Sequence, residues 1–105
     1  MPSRQVKQGR IGQGVDEKIA YTINTTPWGG TPVVAAFKAF DITSGRQYDD
    51  VTAIVFPSGT TSVSGDVITL PLLQLLTLDH VYRVEVKWTF GGNTFECFLE
   101  VLAER

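Results

Sequence analysis

Cysteine and histidine are almost missing from this chain, with Cys97 and His80 the only ones among 105 residues. A disulfide within the chain is excluded, and so is a structural zinc site made of thiolates and imidazoles, which needs four such ligands. The same scarcity removes most nucleophile and base pairs, so catalysis would have to rest on carboxylates or hydroxyls. No catalytic centre, no metal and no cofactor is expected.

Long apolar runs are missing too. None reaches the about 18 residues a helix needs to cross a bilayer, and Met1 to Gly14 lacks the apolar core of a secretory signal. A soluble protein with no secretion signal and no membrane partner is the expectation. Charge is sparse: 19% of the residues are charged against 43% hydrophobic. That balance excludes a disordered polyampholyte and leaves enough apolar surface for one self-sufficient domain.

Carboxylates are missing from one region in particular. Arg4, Lys7 and Arg10 are the only ionisable side chains in the first fifteen residues, and all eleven carboxylates follow them. Gly9, Gly12 and Gly14 alternate there with Gln5, Gln8 and Gln13, a composition that favours extended chain and offers few core anchors. Residues 1–15 therefore read as an extended basic arm and 16–105 as the domain. The arm is either a solvated leader or a strand that docks on a neighbouring subunit. Attraction between its cations and the acidic body of another copy makes docking on a partner, rather than on its own domain, the expectation taken forward. Three cations without interleaved aromatics are too few for a nucleic-acid footprint.

What the chain does have is alternation. Lys18 to Thr25 sets Ile19, Tyr21 and Ile23 against polar neighbours, and Val33 to Ile42 resumes an extended pattern after the loop Thr26 to Pro32. Thr43-Ser44-Gly45-Arg46 reads as a turn. Val51 to Phe56 reads as a strand, and a further pair follows around Thr61 to Val63 and Val67 to Leu70. Pro71 to Leu78 breaks the rhythm: Leu72, Leu75 and Leu76 fall at helical spacing behind a proline, which predicts a short helical turn before the penultimate strand. Val81 to Phe90 alternates most strictly, Gly91-Gly92 turns it back, and Phe95 to Val101 completes a hairpin with Lys87 opposite Glu96 and Arg83 opposite Glu100. About seven short strands with regular turn signals predict an all-β antiparallel sandwich whose core holds Ile19, Tyr21, Ile23, Val84, Val86, Trp88, Cys97, Leu99 and Val101.

Few residues stand out as sites. Asp79-His80 reads as a loop pair entering Val81, and Cys97 as a protonated core thiol. Asp49-Asp50, even with Asp41, lacks the spaced acidic loop that a calcium ion with six to eight oxygen ligands requires. Trp28, held between Pro27 and Gly29-Gly30, either anchors a partner or folds back over the sandwich end. Phe98, on the polar face of the last strand, marks a contact if that face is uncovered. With Arg4, Lys7 and Arg10, these two aromatics are the candidate partner-binding residues.

Leu76, six residues ahead of Tyr82, with Val84 and Val86 beyond it, resembles the tyrosine corner of immunoglobulin-like and fibronectin type III domains, where the phenol hydroxyl ties down the loop entering the penultimate strand. Val84 stands where an antibody domain has a disulfide cysteine, which fits the disulfide-free branch. Asp16 to Ile23, Val63 to Leu70, and Leu76 to Val86 followed by Gly91-Gly92-Asn93 make the order from about Asp16 to Val101 similar to small immunoglobulin-like proteins encoded among the head, tail and tail-fibre genes of tailed phages, fibre-tail adaptors included. The resemblance implies a non-enzymatic virion part, assembled in the host cytoplasm, whose partners are other virion proteins and copies of itself. Leu76, Tyr82 and Trp88 would be structural. The other reading is a free-standing recognition domain for a glycan or a host protein.

Overall fold

The computed structural model describes residues 5–43 and 49–105, for residues 5–9 and 34 in their backbone only. The turn expected at Thr43-Ser44-Gly45-Arg46 lies mostly outside the described residues, as does Arg4. The strands are β1 (Gln5–Gly14), β2 (Thr22–Asn24), β3 (Val33–Asp41), β4 (Asp49–Asp50), β5 (Ser62–Ser64), β6 (Val67–Thr69), β7 (Val81–Phe90) and β8 (Asn93–Glu104). They form a five-stranded sheet in the order β1-β8-β7-β3-β4 and a three-stranded sheet in the order β2-β6-β5. The all-β, two-sheet class is thus as expected, with eight strands among the described residues where about seven were predicted.

The hairpin β7–β8 holds the centre of the larger sheet. Gly91 and Gly92 take φ of 58° and 82°, the left-handed values that a two-residue hairpin turn demands of both residues. Phe90 then pairs with Asn93, Lys87 with Glu96 and Arg83 with Glu100, the register expected. The even face of β7 (Tyr82, Val84, Val86, Trp88) and the odd face of β8 (Cys97, Leu99, Val101, Ala103) are buried. Ala39 of β3 and Ile23 and Ile68 of the smaller sheet complete this core with Leu70, Leu73 and Leu76. Ile19 and Tyr21, expected inside, are only half-buried.

The arm is not a separate element. β1 lies parallel to β8 of its own domain, with Arg10 to Gly14 opposite Glu100 to Glu104. Within the single chain the arm thus has a place on its own sandwich, where the sequence pointed to a partner. The open edge of β8 is the nearest unsatisfied row of backbone donors and acceptors, and a strand beside it satisfies both. Composition hid the anchor. Gln13 is fully buried, its Nε2 donating to the carbonyls of Leu73 (2.8 Å) and Glu17 (3.1 Å), while its Oε1 accepts from the Tyr21 hydroxyl (2.8 Å). Burial and the nearby Glu17 carboxylate push the Tyr21 phenol up, which keeps it a donor.

The helical turn is also elsewhere. Pro71 to Leu78 is not helical, because its backbone bonds go across rather than along the chain: Leu73 exchanges two hydrogen bonds with Ile19, and the Gln74 N–H donates to Val55. Leu73 and Leu76 are buried, whereas Leu72 and Leu75 point to solvent. The helix, α1, is Thr52–Val55, where a strand was expected. The Asp50 carboxylate accepts from the Thr52 hydroxyl (2.7 Å) and N–H (3.0 Å), a local turn that competes with extended pairing. Those bonds hold Asp50 below the ordinary carboxylate range. Val55 and Phe56 then enter the core, and Phe56 meets Phe37 edge to face at 4.8 Å.

Candidate docking surface

Two ends and one face of the sandwich carry the side chains singled out by the sequence. At one end the loop after β2 is pinned down. The Thr25 N–H donates to the carbonyl of Asp66 (2.7 Å), and the Thr26 hydroxyl donates to the Asp66 carboxylate (2.8 Å). Gly29, at φ 133°, lies so close to Phe90 that a Cβ there would stand 2.7 Å from its ring. Trp28 is thereby turned inward and meets Trp88 edge to face at 5.4 Å. Of its two readings, folding back over the sandwich end is the one observed. Trp88 is fully buried beneath it, between Trp28 and Phe95.

At the other end, His80 has an acidic partner, but it is Asp41 and not the adjacent Asp79. His80 Nδ1 is 2.6 Å from Asp41 Oδ2, and Asp41 Oδ1 accepts from both the hydroxyl and the N–H of Thr43. Burial pushes the Asp41 carboxyl up, yet the bonds from Thr43 and His80 outweigh it, and the group sits below its ordinary range. The Thr43 hydroxyl oxygen accepts from the Val81 N–H (3.0 Å), so this network fastens the end of β3 to the start of β7. The Tyr82 hydroxyl accepts from the Thr77 N–H (2.8 Å) and ties down the same loop above the buried Leu76. These bonds hold this end of the fold together. Among the described residues no group of three or more metal-ligating side chains comes together. Cys97 is buried, and desolvation pushes its thiol up to about 11, far from a reactive thiolate.

The remaining feature is the outer face of the five-stranded sheet, opposite the core. Register brings three rows across it: Ala36, Lys87 and Glu96; Lys38, Glu85 and Phe98; Phe40, Arg83 and Glu100. The Arg83 guanidinium lies 3.7 Å from the centroid of the Phe98 ring, and its Nε donates to Glu85 (2.7 Å). Glu100, opposite Arg83 in register, accepts from Arg10 at 3.1 Å. Arg10 is therefore spent within its own sheet, and Lys7 also lies on β1. Between Phe40, Phe98 and the stems of Lys38 and Lys87 the face sinks into an open concavity of about 270 Å³. Its lining combines aromatic rings with side chains of both signs of charge.

Of the candidate contact residues whose side chains are described, Phe98 is the one that borders the concavity. Sequence reasoning missed Phe40, Lys38 and Arg83 as its neighbours. The alternation of Ala36, Lys38 and Phe40 against Phe37, Ala39 and Asp41 was legible, but only the pairing of β3 with β7 decides which of the two sets faces outward. No helix among the described residues is long and apolar enough to cross a membrane. No family model matches the chain, and no curated protein or solved structure is found to be similar to it.

Proposed function

We propose that this chain is a non-enzymatic docking module: an immunoglobulin-like sandwich that serves in the assembly of a tailed-phage virion, as a tail, fibre-adaptor or head-tail component, and binds copies of itself or other virion proteins. Several features support the immunoglobulin-like part of the reading. The first strand runs parallel to the last, the two sheets hold β1-β8-β7-β3-β4 and β2-β6-β5, and the Tyr82 hydroxyl closes the loop before β7. The single observation that carries the docking part is the outer face, where Phe98 and Phe40 border a concavity on a sheet whose other face is already the core. Aromatic and arginine side chains held in place by neighbours are the groups that most often dominate binding energy, because little conformational freedom is lost when they are covered.

The test is to measure solution mass by light scattering and capture of purified particle proteins, for the native chain and for Phe98→Ser. Self-association or capture that weakens at least tenfold in Phe98→Ser, at an unchanged melting temperature, is the expected result. A monomer that ignores virion proteins but retains a glycan or a host surface protein through the same face would replace this reading with that of a recognition domain.

A further inference from the structure

We propose that β1 is an exchangeable strand: copies of this chain trade it, so that β1 of one copy lies on β8 of the next with the pairing it makes at home. The inference rests on the assembly reading above and names the element that links the copies.

The position of β1 comes first. It is the outermost strand of its sheet and is bonded to β8 alone, so it can leave without breaking another strand pair. It is also weak by itself. Its even register is confined to Arg10 to Gly14, with an irregularity between Gln5 and Arg10, and three of its ten residues, Gly9, Gly12 and Gly14, are glycine, which packs nothing and orders at the highest entropic cost. The place it occupies, by contrast, is costly to leave unfilled. Without β1 the edge of β8 loses its partners, the Leu73 carbonyl keeps only its bond from the Ile19 N–H, and the half-buried Tyr21 hydroxyl and the Glu100 carboxylate lose the partners that β1 supplies.

A weak strand in a demanding site is satisfied equally by the β1 of another copy, since every bond is the same and only the connection differs. The connection in question starts at a turn closed by two bonds, Glu17 N–H to the Gly14 carbonyl (3.0 Å) and Gly14 N–H to Glu17 Oε1 (2.7 Å). Opening that turn carries the strand away from its own domain. Exchanged reciprocally, it gives a closed dimer; passed from copy to copy, it gives a ring or a tube.

Two single variants test this. Arg10→Cys and Glu100→Cys place thiols at positions that face each other across β1 and β8, the first exposed and the second partly covered, while the native Cys97 stays buried and inert. The two full-length chains, each checked for an unchanged melting temperature, are unfolded together, refolded at high concentration and oxidised. A covalent heterodimer of the two variants, several-fold above either homodimer, is expected. The idea is overturned if the heterodimer does not exceed the homodimers while the double variant Arg10→Cys/Glu100→Cys closes within one chain. Should either single variant fold poorly, Gly12→Cys with Leu102→Cys repeats the comparison two rows along. The mass of the untreated protein separates the two claims: oligomers without the heterodimer sink the exchange and leave the assembly reading standing, whereas a protein monomeric at every concentration counts against self-assembly itself.

Discussion

The C-terminal hairpin and the N-terminal arm lie side by side in one sheet, yet they are strands for different reasons. In β7 and β8 every level agrees: β-branched and aromatic residues alternate with charges, two glycines supply the turn, and the turn fixes the register that buries one face. The arm has no such agreement. Its glycines and glutamines have no preference for a strand, and it becomes one because β8 presents an open edge and because a polar side chain, Gln13, finds three partners in the interior. A strand specified by its own pattern and a strand specified by its neighbour look alike once folded, but they respond differently when disturbed.

The largest difference is expected from Val86→Asp, which buries an unpaired carboxylate in the middle of β7. The cost, several kcal/mol, is comparable with the whole stability of a small domain, so near-ultraviolet circular dichroism should show the native signal lost. Gln13→Ala is the matching injury to the arm. It removes the bonds to the Leu73 and Glu17 carbonyls and leaves the Tyr21 hydroxyl without its partner, costing about 2 kcal/mol in a denaturant melt, and it should speed hydrogen exchange in β1 well before β7 or β8. An unchanged β1 would mean that the arm is held by its backbone alone.

Acid sharpens the comparison from another side. Because Asp41 lies below its unfolded value when folded, its contribution to stability is complete above about pH 4 and is lost as pH falls through the lower, folded value. Asp41→Asn should flatten that part of the acid limb of a melting-temperature profile, with the change seen at the end of β3 and the start of β7 and not in β1. Arg10→Ala should do least. Its partner Glu100 is largely covered but Arg10 is half exposed, so the pair is worth under about 1 kcal/mol and fades with salt.

Legibility followed the distance over which each feature is specified. The hairpin, its register and the Leu76–Tyr82 loop are written within a few residues of themselves. The short helix was misplaced because Pro71 and the leucines after it satisfy a helical spacing, while Asp50 and Thr52, which start α1 with two side-chain bonds, look like an ordinary acidic turn. Asp41 and His80 stand 39 positions apart, and no local pattern pairs them.

On its own, then, the sequence determined the all-β class, the absence of disulfide and zinc chemistry from thiolates, and the inward face of the central hairpin, since side-chain alternation and residue inventory are properties of the chain itself. Only the tertiary structure decided which edge the arm fills, where Trp28 comes to rest, which acid His80 meets, and that Phe40, Phe98 and Arg83 share one outer face. Each of these depends on which segments come together across the fold, and a buried polar group such as Gln13 reveals its role only when its partners, distant in sequence, are beside it.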